Sequence, residues 1–497
     1  MSGLLIVPIV LPLATAVLLA LAFRTPRQQH AVAIAAALGL TAAAVALLVG
    51  VQREGVLVLQ AGGWPAPFGI SLVADRLAAA MVMITALIGL AVVVYAAGEI
   101  DATRMRGGFA ARVQVLLAGV CGAFLTGDVF NLYVWFEVML IASFALLALG
   151  GGREQLDGAV KYVALNLVST LLFLSGAGLL YGMAGTLNMA DLHGKLPALG
   201  RPGLVSGVAA MFLVAFGIKA SLFPVFSWLP ASYHTPPVAV SALFAGLLTK
   251  VGVYVLIRFF TLIFPRAELR LDEPLVWIAG LTMVTGVLGA AAQTEFRRIL
   301  GFHIVSQIGY MVMGLALGSA LALTGAVFYT LHHIVVKANL FLLSGVSHRL
   351  SGSSELARIG GLYARAPLVA LLFLIPAFSL AGFPPLSGFW AKLLLIQAGI
   401  DDQRWGVVFV LAAVGLLTVF SMTKIWGEAF WKPHPGTPAP PLTGRERALL
   451  LGPVAGLALI TVAIGLWPAP LFDFARAAAE ELLDPAAYVA AVLGGPR

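Results

Sequence analysis

Runs of about 20 apolar residues, separated by short polar or glycine- and proline-bearing stretches, recur from Leu4 to Leu466. At a rise of about 1.5 Å per residue, each is long enough to cross a hydrocarbon core of about 30 Å as a helix. The pattern predicts about 14 spans, near 3–23, 31–51, 73–97, 110–126, 128–149, 157–182, 204–230, 236–263, 273–293, 299–318, 321–347, 367–399, 405–430 and 447–468. The expected fold class is therefore an all-α polytopic membrane protein. Residues 52–72, with VLVLQ, GGWPAPFG and ISL, are too short and glycine-rich to span, and read as an extended loop or small hairpin. Beyond Pro470 an apolar face is broken by Asp473, Arg476, Glu480 and Glu481, which predicts a tail at the membrane interface.

Polar residues inside these runs change the picture. Phe216 to Lys250 is apolar but holds a lysine at each end and prolines between, and both Lys219 and Lys250 fall near the middle of a span. A central lysine costs about 2.5 to 3.5 kcal/mol on insertion scales, so each needs water, a partner charge or a function. Glu137, Lys337 and Lys392 are placed in the same way. Five such groups would cost of order 12 to 17 kcal/mol if left unpaired and unhydrated, comparable to the stability of a whole domain. The alternative is that some snorkel or form ion pairs fixing helix register, a reading that fits Lys337, with His332 and His333 beside it, better than Lys219. His333 and Lys337 are four apart and share a helix face, which Tyr329 and Ser344 extend. That spacing favours proton relay over a satisfied core histidine. His234, in the loop between the two lysine spans, reads equally as a cap, a gate or a relay, and Asp75 as the charge at a helix start.

The seventh span joins Lys219 to a break at Phe223-Pro224, and the twelfth joins a break at Phe383-Pro384-Pro385 to Lys392. Proline removes a backbone donor, and a broken membrane helix persists where its freed backbone lines a cavity or is packed in protein. Corresponding breaks at Pro224 and at Pro384 and Pro385 predict two inverted repeats of five helices. The expected division is residues 1–109 for helices 1 to 3, 110–263 for helices 4 to 8 and a first half-channel, 264–430 for helices 9 to 13 and a second, and 431–497 for helix 14 and the tail.

A chain 61% hydrophobic and 10% charged is not an ordinary soluble domain. Its net charge of +8 lies in short loops between spans, where it reports topology and not nucleic acid. A single cysteine, Cys121, can neither ligate an iron–sulfur cluster nor close an internal disulfide, and there is no phosphate-loop motif. No cofactor or metal site is expected. The run from Leu4 lacks a basic flank and reads as a retained first helix. Loops on one side hold about 14 arginines and lysines, Arg24 among them, against 8 on the other, Arg266 and Arg497 included. The richer side is expected in the cytoplasm, with both termini outside a cell membrane.

The stretch Thr126-Gly127-Asp128-Val129-Phe130-Asn131-Leu132-Tyr133-Val134-Trp135-Phe136-Glu137, the Lys219 to Lys250 hairpin, Arg297-Arg298-Ile299-Leu300 before Ser306-Gln307-Ile308-Gly309-Tyr310, and Phe383-Pro384-Pro385-Leu386-Ser387-Gly388-Phe389 occur in one order. Together they resemble the antiporter-like subunits of respiratory complex I and of Mrp cation/proton antiporters, most closely the D-type Mrp subunits. The resemblance implies a non-enzymatic, proton-translocating subunit of a multisubunit Na+/H+ antiporter, carrying no cofactor and partnered by other Mrp-type membrane subunits. It assigns the relay to Glu137 paired with Lys219, then Lys250, His332 or His333 with Lys337, and finally Lys392. The alternative is a proton-pumping membrane subunit of complex I or of a membrane-bound hydrogenase-type enzyme. No cluster of buried carboxylates marks a Na+ site, so sodium is expected to bind in a partner.

The loop charges place residues 354–366 in the cytoplasm. In a background lacking Cys121, a cysteine at position 357 should react with an impermeant thiol reagent only from the inner face; labelling from outside would reverse the assignment.

Overall fold

A computed structural model describes residues 2–23, 25–264, 269–437 and 439–494; Arg24, Arg266 and Arg497, counted in the loop charges, lie outside them. Among the described residues, twelve helices are long and apolar enough to cross a membrane. In chain order the long helices are α1 (Ser2–Leu21), α2 (Pro26–Glu54), α3 (Arg76–Glu99), α5 (Val129–Leu147), α6 (Arg153–Ala184), α7 (Pro202–Ala220), α8 (Val238–Ile263), α9 (Asp272–Ala292), α10 (Phe296–Leu317), α11 (Ala320–Ser351), α14 (Trp405–Trp431) and α15 (Gly444–Leu466). Two shorter apolar helices, α4 (Phe109–Leu125) and α12 (Pro367–Ala381), accompany them, and α13 (Ser387–Asp401) continues beyond the break after α12. The expected fourth and twelfth spans fall on these shorter helices. The stretch after α2 forms a hairpin, β1 (Leu57–Gln60) antiparallel to β2 (Ser71–Ala74).

Several helices start on a side chain that accepts one of the first N–H groups, which have no partner inside the helix. Asp75 takes the N–H of Ala78 at 2.9 Å, Asp128 that of Asn131 at 2.8 Å and Glu295 that of Arg298 at 2.6 Å. The helices are not equally enclosed. In α11 the most apolar window is 100% buried and in α8 and α10 94%, against 33% in α2 and α14. Polar residues on α8, α10 and α11 therefore face protein, while the outer helices turn leucine and phenylalanine outward.

The two breaks use one device. After α7 the backbone turns left-handed at Ser221 (φ 64°), and the N–H of Leu222 reaches back to the carbonyl of Gly217 at 2.8 Å. After α12 Gly382 (φ 93°) does the same, and Phe383 N–H bonds Phe378 O at 3.0 Å. Both are helix-ending caps of the Schellman type, in which a residue of positive φ lets later amides close on earlier carbonyls.

The tail forms α16 (Ala469–Leu483) and α17 (Ala486–Leu493). The apolar face of α16, Ala475, Ala478, Ala479 and Leu482, is buried against α3 and α11. That face, expected at the membrane interface, packs on the bundle instead. Beneath it lies an ion pair not anticipated from the sequence: Arg258 Nη2 meets Asp75 Oδ2 at 2.6 Å, with the side chains only 6% and 5% exposed. Tyr254 and Tyr488 present their rings to the guanidinium at 5.4 and 5.2 Å, and Arg76 pairs with Glu481 of α16. Asp75 is thus a helix cap that also neutralises a buried arginine, and it sits at the start of α3, apart from the lysines of the interior.

Removing one member of a buried pair strands the other, at about 3 to 5 kcal/mol. Asp75→Ala should therefore lower the melting temperature of the purified assembly and its yield in membranes; wild-type thermal stability would show that water already screens the pair.

Candidate functional site

In α8 a π-turn, Phe244–Leu248, precedes Lys250. A π-turn shifts the backbone ladder by one residue, and the Lys250 ammonium donates to the carbonyl of Ala245 inside it. Lys250 is fully buried, as are His333 and Lys337 on α11 and His303 on α10. Both ring nitrogens of His303 and of His333, the Lys337 ammonium and His332 Nε2 have no protein partner among the described residues. A buried polar group left unbonded costs about 1 to 3 kcal/mol, so this row is where hydration is most favourable.

The row bends toward the second break at His332. Its Nδ1 lies 2.9 Å from Ser387 Oγ, which lies 2.8 Å from Ser379 Oγ. Gly388 N–H donates to the same Ser379 hydroxyl at 3.1 Å, and a Cβ at Gly388 would collide with the Ser379 carbonyl. One serine on each side of the break is therefore tied to the central helix. Lys392 reaches back from α13 and donates to the carbonyls of Leu380 and Ala381, at 3.0 and 2.9 Å. These belong to the last turn of α12, whose carbonyls lack helical partners and carry the negative end of the helix dipole. The ammonium also lies 5.1 Å from the ring of Tyr310, which stacks on Tyr329, and Tyr329 donates to Gln307.

The first break differs. Glu137 and Lys219 make no direct ion pair, although the carboxylate lies within electrostatic reach of the ammonium. Thr170 donates to Glu137 Oε1 at 2.8 Å, while Lys219 Nζ lies over the Phe136 ring at 5.5 Å. Both residues are half-buried, unlike Lys250, Lys337 and Lys392. His234 stands outside the row, with Nδ1 3.0 Å from Pro230 O and Nε2 accepting from Arg298 Nε at 3.2 Å. Burial, with Arg298 and Arg297 beside it, holds its pKa down to about 4. It is neutral at physiological pH and acts as a tie between the α7–α8 loop and α10.

His303 was missed from the sequence. It lies within electrostatic reach of Lys337 and Lys392 and precedes Gln307 and Tyr310 by four and seven residues. That spacing puts all three on one face of α10 and was a usable signal.

This arrangement of two broken helices around a buried basic row has known counterparts. A model of the family described as NADH:quinone oxidoreductase/Mrp antiporter, TM, matches residues 126–421. The chain belongs to this family. Among its relatives, the D subunit of the Na(+)/H(+) antiporter of Alkalihalophilus pseudofirmus is 44% identical over 99% of this chain and 100% of its own length. Its counterpart in Bacillus subtilis is 40% identical over the same shares. A chain in the structure of the Mrp complex from Dietzia sp. superposes with a TM-score of 0.93 at 34% identity, covering 99% of this chain and 100% of its own. A chain of respiratory complex I from Thermus thermophilus gives 0.82 at 25%, covering 96% and 99%. The family match contains both breaks and every residue of the buried row, and stops short of Asp75 and the tail.

Within this family member, His303→Leu should leave assembly intact and reduce coupled exchange of order a hundredfold, the scale of one lost proton-transfer group. Unchanged exchange in vesicles at matched expression would reduce His303 to a packing residue.

Proposed function

We propose that the chain is the proton-translocating membrane subunit of a multisubunit Na+/H+ antiporter, and that protons pass through it by way of Lys219, Lys250, His333, Lys337, His303, His332 and Lys392. The observation that carries this reading is the buried row itself. It brings together lysines and histidines with no carboxylate in contact among the described residues. Like charges so near one another in low dielectric cannot all be ionised at once, so their protonation is coupled and gaining a proton at one site favours release at the next. The half-channels are residues 110–263 and 264–430, each built around one broken helix. Relatives named as D subunits of Na(+)/H(+) antiporters support Na+ as the counter-ion. Each charge moved across 100 mV is worth about 2.3 kcal/mol, so the potential drives a cation outward only when more protons enter than cations leave, and a one-for-one exchange runs on the proton gradient.

Glu137 supports a partnered subunit. A carboxylate only half-buried on a membrane helix is costly against lipid, and exposed Phe130, Val134 and Ile141 share its helix. A neighbouring membrane subunit covering this face would enclose Glu137 and complete the approach to Lys219. The redox-driven alternative draws on the complex I fold at 25% identity. The antiporter relatives at 44% and 40% weigh against it.

The test is Na+-coupled proton movement in inside-out vesicles at matched expression. Lys392→Met keeps the stem without the titratable group and should assemble but not transport. Lys392→Arg should also fail, because a guanidinium does not release its proton, whereas Lys392→Glu restores titration and should retain partial activity. Glu137→Gln should abolish exchange. Normal exchange in Lys392→Met would route the proton elsewhere.

A further inference from the structure

At the ends of α3 and α11 and the starts of α6, α8 and α10, on the side that the loop charges assign to the cytoplasm, the protein forms an open cavity of about 480 Å³. Glu99, Arg104, Glu154, Arg297 and His348 line it, together with the first residue of α8, Val238. Glu99 secures the wall by accepting the N–H groups of Val238 and Ala239 at 2.6 and 2.8 Å. Arg297 secures it from α10 by donating to Pro236 O at 3.0 Å.

Behind this wall the helix faces remain polar. Tyr95, four residues before Glu99 and on the same face of α3, donates to Leu342 O at 3.0 Å. Gly345 of α11 packs so closely that a Cβ would collide with both the Tyr95 hydroxyl and the Val238 side chain. Tyr95, Val238 and Gly345 thus form one layer, with the cavity-lining His348 on one side and the deeper part of α11 on the other. The Ser347 hydroxyl is buried with no protein partner among the described residues, and Ser344 bonds only to the carbonyl of Phe341, at 2.6 Å. Lys337 follows two helical turns deeper than Ser344, about 10 Å along the axis, and its ammonium too lacks a protein partner among the described residues.

We propose that this cavity is the inner mouth of a water-filled path to Lys337, running past Ser347 and Ser344 and gated by the Tyr95 hydroxyl over Gly345. The proposal rests on the reading of α11 as a relay and adds where that relay meets the inner aqueous phase. Three guanidiniums, Arg104, Arg153 and Arg297, face two carboxylates, Glu99 and Glu154, in the walls. This surplus of positive charge opposes a metal cation, and among the described residues no cluster of metal-holding side chains is present to replace a cation's hydration shell. Hydroxyls and water can pass a proton along, with His348 and Glu99 as the titratable groups at the entrance.

The experiment uses the whole complex with Cys121→Ser and sulfonatoethyl methanethiosulfonate, an impermeant thiol reagent, applied separately to inside-out and right-side-out vesicles. Ser347→Cys and Ser344→Cys should react from the inner face, Thr235→Cys serving as the accessible control. Modification of Ser347→Cys should slow coupled proton movement of order a hundredfold. Tyr95→Phe should speed labelling of Ser344→Cys, behind the Tyr95 hydroxyl, and Gly345→Ala should slow it, so a folding defect in one still leaves the other. The proposal is overturned if Thr235→Cys reacts while neither serine position does, if the serine positions react from the outer face, or if a labelled Ser347→Cys transports normally. Full exchange in Lys337→Met would sink the relay reading while leaving the labelling result standing, so the two failures are distinguishable.

Discussion

Two of the ammoniums buried in this protein, those of Lys250 and Lys392, are held by backbone carbonyls that irregular helices set free, and much of the interior follows from that constraint. Lys392 sits on the last carbonyls of α12, Leu380 and Ala381, and Lys250 on Ala245 within the π-turn of α8. A carbonyl is a dipole of fixed strength, weaker as a partner than a carboxylate. It stabilises a charged lysine enough to tolerate burial without locking the proton in place, as a full ion pair does. The contrast is the Arg258–Asp75 pair, where guanidinium and carboxylate meet at 2.6 Å under the C-terminal helices. That contact is built to stay closed, and it lies outside the row.

Because the lysines depend on broken backbone, the breaks must be held. Ser221 and Gly382 end their helices by the same left-handed turn. The second break is also tied to α11 through Ser379, Ser387 and His332. Lys392 therefore stands beside a helix end whose position is set by the central helix. The link gives a physical route by which the charge state of α11 can be felt at the break, through a two-serine hydrogen-bond chain in a region of low dielectric where such bonds are strong.

Enclosure separates the two halves. Helices α8, α10 and α11 are covered on all sides, so their polar residues answer only to one another and to water. Glu137 and Lys219 are half-buried on the flank, and Thr170 and the Phe136 ring stand where a direct contact between the two was expected. The flank depends on neighbours that the interior does not need, which fits a subunit whose first half-channel is completed by an adjoining chain.

Apolar runs and centrally placed charges made the membrane class, the broken seventh and twelfth helices and most of the buried row legible in the sequence. This works because burial of a charge in hydrocarbon is so costly that such residues stand out from their surroundings. His303 was not legible in this way, because one histidine in an apolar helix has no such signature until its neighbours are known. Tertiary structure alone decided that Glu137 and Lys219 do not touch, that Lys392 folds back onto the preceding half-helix, that Asp75 neutralises Arg258, and that the tail's apolar face belongs to α3 and α11. Each of these turns on which helices lie side by side. Spans of nearly uniform hydrophobicity leave neighbour choice to the packing of small residues and to a few polar contacts far apart in the chain.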